Sequence, residues 1–155
     1  MSAADGAAIR RAAMNLLARR EYSQRELRAR LGLRFDAEAL IVAELCKLSA
    51  EGLQSDERFT ESFVRMHEGR GHGPLRILRE LELRGIDDEL ARAFVHPRDR
   101  RWFDMARAWR RRRFGEPPPG DARERARQMR HLQQRGFSHE HVRFAMTAGE
   151  NSDDG

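Results

Sequence analysis

An all-α protein is predicted from three observations. Apolar residues recur at helical spacing, no stretch alternates with the period of a strand, and a helix-start signature returns every 51 residues. The pairs Phe35-Asp36, Ile86-Asp87 and Phe137-Ser138 each place an apolar residue before a capping type, and Glu38, Glu89 and Glu140 follow at equal distance. Gly85 and Gly136 precede the second and third pairs, with Leu81 and Leu132 at matching positions before them; Arg34 takes the glycine's place in the first. The pattern reads as one three-helix unit used three times. The expected repeats are residues 7–53, 56–96 and 99–147, the last one basic, followed by an acidic tail, 148–155, expected to be disordered. Such units bury their stripes against neighbours, so an elongated, curved array is expected.

In the first repeat, Ala7 to Arg20 carries Ile9, Ala13, Leu16 and Leu17 on one face and arginines on the other. Ser23 and Glu26 fit a capping box, with Tyr22 placed to staple against Leu27, so a second helix starts at Gln24 and loosens near Gly32. A third, Ala37 to Glu51, turns Ile41, Leu45 and Leu48 inward and stops at Gly52-Leu53, where Leu48 and Leu53 form the apolar pair of a Schellman motif.

The second repeat has Phe59, Phe63 and Met66 on its first helix, Leu75, Leu78 and Leu81 on its second, and Leu90 and Phe94 on its third. Gly69, Gly71 and Gly73 between the first two allow positive φ, and Pro74 suits a first helical position. Gly85 and Ile86 mark a Schellman stop with Leu81, and Asp87 is the next cap. The third repeat opens at Asp99, carries Trp102, Phe103, Ala106 and Trp109, and ends in four arginines and Phe114-Gly115. Residues 116–121 cannot be helical in their proline run and read as a surface loop or a short polyproline II link. A helix with few apolar residues (Ala126, Met129, Leu132) follows, then a last one from His139 to about Thr147.

Charge is distributed unevenly along the 155 residues. Met1 to Pro97 balances 16 basic against 16 acidic residues, whereas Arg98 to Gly155 has 14 arginines against 9 acids, so the net +5 lies in the last third. The lone Cys46 excludes a disulfide framework and a cysteine zinc site, and reads as a small buried residue of its helix. No run approaches a membrane span and the N-terminus has no signal-peptide core, so a cytoplasmic protein with no membrane partner is expected.

No catalytic constellation emerges, and neither a cofactor nor a metal is expected. The glycines of residues 69–73 link two helices and follow no strand, unlike a phosphate-binding loop. His139 and His141, two apart on a helix, point to different sides and cannot grip one metal. His67 and His72 read as capping or surface groups, and Asp87, Asp88 and Glu89 as acids favouring a helix start. Arg110, Arg111, Arg112 and Arg113, with Arg123, Arg127 and Arg130 on the next helix, are the candidate surface for a phosphate- or carboxylate-bearing partner. The simpler reading of the run is a solvated helix end that complements the dipole. Trp102 and Trp109, seven apart within an apolar stripe, read as core.

The stretch FVRMHEGRGHGPLRILRELELRGID resembles the middle repeat of the RecX regulators of the RecA recombinase. YSQRELRARL is similar to their early segment, and WFDMARAWRRRRFG with RQMRHLQQRGFS to their third repeat, so the resemblance spans nearly the whole chain. It implies a non-enzymatic protein of tandem three-helix repeats that binds RecA filaments on single-stranded DNA. Such a protein restrains strand exchange, ATP hydrolysis and repressor-cleavage assistance, and so modulates recombination, DNA repair and the SOS response. The chain is expected to act as a monomer and to contact single- or double-stranded DNA. The alternative is a general nucleic-acid-binding helical protein acting through its basic third repeat.

Overall fold

The structure, a computed structural model, describes residues 5–147, so the expected tail lies outside the described residues. Among the described residues there are nine helices and no strand: α1 Gly6–Leu17, α2 Gln24–Gly32, α3 Glu38–Ala50, α4 Asp56–Gly69, α5 Pro74–Leu83, α6 Asp88–Phe94, α7 Arg100–Phe114, α8 Ala122–Gln134 and α9 His139–Met146. None of them is long and apolar enough to cross a membrane.

Local signals set most boundaries. Ser23 accepts from the Glu26 N–H at 3.1 Å while the Glu26 carboxylate accepts from the Ser23 N–H at 3.0 Å, the reciprocal box that starts α2. The three glycine stops close as Schellman motifs: Leu53 donates to Leu48 O at 2.9 Å, Ile86 to Leu81 O at 3.0 Å and Phe137 to Leu132 O at 3.2 Å. Each relies on a glycine in the left-handed region: Gly52 (φ 76°), Gly85 (78°) and Gly136 (101°).

The first repeat departs from this register. Arg34 does not adopt positive φ, so the Phe35 N–H folds back only to Leu31 O, at 2.8 Å. Ala37, not Asp36, is then the N-cap of α3, and it makes no side-chain capping bond. Between α4 and α5 only Gly71 has positive φ, at 75°; Gly69 ends α4, and Gly73 is required for a different reason given below.

The chain divides into two compact units: Met1–Arg65 with Glu80–Phe94, and Met66–Arg79 with Val95–Gly155. In the first, Ile9, Ala12, Ala13, Tyr22, Leu27, Leu31, Phe35, Ile41, Leu45 and Leu48 form one core over α1 to α3. Burying a Leu or Ile side chain of this kind contributes about 1.5–3 kcal/mol. The Ser23 hydroxyl donates to Arg84 O at 2.8 Å, and the Arg84 guanidinium lies 4.7 Å from the Phe63 ring, tying residues 80–94 into this unit. In the second unit, Ala106, Leu132, Phe137, Val142, Ala145 and Met146 form a core flanked by Met105, Trp109 and Met129. Trp102 is fully buried as well.

Several apolar assignments shift. Leu75 is exposed and Leu78 half-buried, while Ile77 and Leu81 are buried; residues three apart drift by about 60° per step on a helix and cannot share one face. Met66 is exposed too, because the buried face of α4 runs through Phe59, Thr60, Phe63, Val64 and His67. Cys46 is exposed, not buried, on the outer side of α3.

Candidate functional site

The second unit carries the basic surface. Helix α7 is stopped by Gly115 (φ 91°), whose N–H donates to Arg111 O at 2.8 Å, and Asp121 restarts the chain as α8 by accepting from the Glu124 N–H at 2.8 Å. At 100° per residue, four consecutive arginines on α7 must point to every side. Arg110 points inward and is only 1% exposed. Its Nε donates to Ala145 O of α9 at 2.7 Å, and its terminal nitrogens to Gly115 O, Glu116 O, Pro117 O and Gln128 Oε1 at 3.0–3.3 Å. Burial and the neighbouring Arg111 and Arg107 pull its pKa below the usual guanidinium range. Arg111 is half-buried, with a buried Nε that lacks a partner among the described residues; Arg112 and Arg113 are exposed.

On α8, Arg123, Arg127 and Arg130 are exposed at i, i+4 and i+7. Arg127 forms a forked pair with Glu124 at 3.0 and 2.8 Å, which offsets its charge. Arg123 and Arg130 form no ion pair among the described residues. The Phe114 ring lies between the helices, 5.8 Å from the Arg113 guanidinium carbon, 5.3 Å from that of Arg127 and edge-on to His131 at 5.3 Å.

A turn of α7 earlier, Trp109 lies 4.3 Å below the Arg135 guanidinium and donates its indole N–H to His131 Nε2 at 3.1 Å. An indole N–H can only donate, so His131 carries its proton on Nδ1. Burial, then Arg113, Arg135 and Arg127, keep the His131 pKa below its ordinary value, so it is neutral at pH 7.

The turn after α4 docks against the same region. Gly73 N–H donates to Arg135 O at 2.8 Å and Leu75 N–H to Gly136 O at 3.0 Å. A Cβ on Gly73 would lie 2.5 Å from the Gly136 carbonyl, and one on Gly71 would lie 2.5 Å from the Trp109 ring, so close approach dictates both glycines. Arg135 donates to Arg70 O and Gly71 O. Beneath this turn His67 and His72 are both buried, Nδ1 to Nδ1 at 2.7 Å, sharing one proton. His72 is pushed down to about 4 by burial, then by Arg76, Arg135, His67 and Arg70. These two histidines are therefore internal and not surface groups. His141 is also internal: its Nδ1 accepts from the Ser138 N–H at 3.1 Å and its Nε2 donates to Pro97 O at 2.8 Å, so both ring nitrogens are occupied.

In the first unit an open cleft of about 570 Å³ is lined by Arg25, Arg28, Val42, Cys46 and Asp56 among others. No group of three or more metal-ligating side chains occurs among the described residues.

Comparison with known proteins places this architecture. The model of the RecX second three-helix domain matches residues 55–95, and that of the third three-helix domain matches residues 99–146. The regulatory protein RecX of Halorhodospira halophila is 42% identical over 147 residues, covering 95% of this chain and 91% of its own. That of Chromohalobacter salexigens is 45% identical over 141 residues, covering 90% and 92%. The chain belongs to the RecX family. The crystal structure of RecX from Lactobacillus salivarius superposes with a TM-score of 0.76 at 22% identity, over 90% of this chain and 93% of that one, a likeness of fold.

In this RecX-family chain the seven arginines expected to form a surface divide into four groups. Arg112, Arg113, Arg123 and Arg130 are exposed without a carboxylate partner among the described residues; Arg127 is exposed but paired; Arg111 is half-buried. Arg110 is withdrawn from the surface, because its guanidinium closes the carbonyls of residues 115–117 and Ala145. Sequence reasoning missed Arg135, Arg76 and His131. The signal was present in Gly71, Gly73 and Gly136, whose missing side chains let the two turns meet.

Proposed function

We propose that this RecX-family chain is a non-enzymatic regulator that binds RecA filaments on single-stranded DNA and restrains their recombinase, ATPase and co-protease activities in the cytoplasm. The observation that carries the reading is the reach of the family likeness, which covers 95% of the chain with its closely matched relative from H. halophila named a regulatory protein. Matches to both the second and third three-helix domains support it. Arg111, Arg112, Arg113, Arg123 and Arg130 are the proposed filament contacts, since guanidinium groups without local carboxylates suit phosphate or acidic side chains. The same exposed cations favour a second reading, a nucleic-acid binder that acts by coating DNA. Titrating the protein into RecA's DNA-dependent ATPase separates them. Inhibition at amounts well below those that coat the DNA supports the filament regulator; inhibition that tracks DNA coverage and vanishes with any polyanion supports the second.

A further inference from the structure

Helix α3 carries apolar residues on more sides than the core uses. Ile41, Leu45 and Leu48 are buried in the first unit, but Val42 is 37% exposed, and Cys46, one turn further along the same side, is exposed as well. A helix that is apolar nearly all round belongs among neighbours that cover it, so this outer stripe lacks a cover. It forms one wall of the cleft of about 570 Å³, where Val42, Leu45 and Cys46 face Arg25, Ala29 and Gly32 of α2. The opposite wall is low, since a Cβ added at Gly32 would meet nothing within 4 Å. Its lining residues run from Gln24 to Gly32, so the cleft follows α2 for about 12 Å, roughly two turns. The charges around it are unequally committed. Asp56 Oδ1 accepts from the Gln24 N–H at 2.9 Å and from the Gln54 side chain at 3.0 Å, and Glu38 is paired with Arg28 from one wall to the other. Arg25 forms no ion pair among the described residues. Its stem lies over Gly85, where a Cβ would come within 2.5 Å of Arg25 Cδ, so the missing side chain makes room for it.

We propose that this cleft of the first unit docks an amphipathic helical segment of a protein partner, with its apolar side chains over Ala29 and Val42 and one carboxylate on Arg25. A helix fits because both walls are themselves helices, whose ridges leave a channel for a third. A single carboxylate fits because one guanidinium of the lining is uncommitted. Glu38 and Asp56 in the same lining repel a polyanion, so a nucleic acid is not the occupant. A charge-assisted bond to Arg25 beside an apolar floor selects Asp or Glu over Lys at that point of the segment. None of the cleft residues belongs to the proposed filament contacts, so the docking site goes beyond the regulatory reading and stands without it.

The test uses the full chain and two fluorescein-labelled peptides of about 14 residues, or four helical turns. One is a helix-forming sequence with Leu at every third or fourth position and a single Glu beside them; its twin has Gln for that Glu. Circular dichroism checks the helical content of each protein variant. The acid peptide should bind saturably and slow the alkylation of Cys46 by iodoacetamide about tenfold or more, since a docked helix covers that thiol. Arg25→Gln, an exposed position, should weaken the acid peptide about tenfold and leave the twin within about twofold. Val42→Ser should weaken both peptides about threefold or more through the lost apolar contact. Arg30→Gln, an exposed arginine of α2 outside the lining, should leave both within about twofold of the parent. Excess oligothymidylate should not displace the acid peptide. An acid peptide that fails to bind, that leaves Cys46 as reactive as before, or that binds the Arg25→Gln and Arg30→Gln variants alike would overturn the docking site, and so would displacement by the oligothymidylate. RecA is absent from these assays, so the failure of this site and the failure of the proposed function are read separately.

Discussion

Arg110 separates a structural arginine from three neighbours of the same type, and Arg110→Met tests that assignment. Methionine keeps most of the unbranched stem while deleting the guanidinium. Five acceptors lose a donor, but the carbonyls of residues 115–117 belong to an exposed loop and can turn to water. Ala145 O and Gln128 Oε1 are in buried bonds and cannot. A buried acceptor left unsatisfied costs about 1–3 kcal/mol, so two of them give roughly 2–6 kcal/mol. Relief of the buried charge, which shows in the depressed pKa of Arg110, offsets part of this and puts the expectation near 3 kcal/mol. Arg112→Ala and Arg113→Ala, at exposed positions, should stay within about 0.5 kcal/mol of the parent. Urea unfolding followed by circular dichroism measures all three. An Arg110→Met midpoint equal to that of Arg112→Ala would refute the reasoning. Charge reversal of the whole run is therefore a test of folding as well as of binding, and binding variants must spare Arg110.

Other expectations follow from the same packing. His72 has its folded pKa near 4, below the unfolded value of about 6.5, so its contribution is complete above pH 6.5 and is lost as the pH falls. Stability should drop by about 2 kcal/mol between pH 6.5 and 5, with the lowered pKa values of His131 and His141 acting in the same direction; a flat urea midpoint across that window would contradict this. Gly73→Ala forces a Cβ against the Gly136 backbone and should cost about 1–3 kcal/mol, whereas Gly120→Ala, with open space around it, should change little; equal thermal midpoints would count against the docked turns. Exposed Cys46 should react with a thiol reagent in the native protein at a rate close to that in urea, and strong protection in the native state would show that its surface is covered.

The legible part of the fold was the part written locally. The Ser23–Glu26 box and the glycine stops at Gly52, Gly85 and Gly136 depend on residues within one turn of each other, and all were readable. Where a residue's environment is set by another helix, local pattern gave the wrong answer. Asp36 looks like Asp87, but Arg34 alters the preceding stop and moves the cap to Ala37. Arg110 looks like Arg112, yet α9 supplies the carbonyl that draws it inward. His67 and His72 flank glycines as surface residues often do, but the docking of that turn on α8 encloses them. The exposed arginines of α8 were legible from their spacing, whereas Arg76 and Arg135 are brought together by tertiary contact and were not.

The most direct test of the regulatory role is a RecA ATPase titration on single-stranded DNA, comparing the parent with a variant carrying Arg112→Glu, Arg113→Glu, Arg123→Glu and Arg130→Glu. These four positions are exposed and the variant keeps Arg110, so helical content should match the parent. The parent should inhibit at amounts too small to coat the DNA. The variant should need at least tenfold more protein, with a weaker response to added salt. A folded variant that restrains the filament as well as the parent at every salt concentration would contradict the account and move the contact surface off the arginines of α7 and α8.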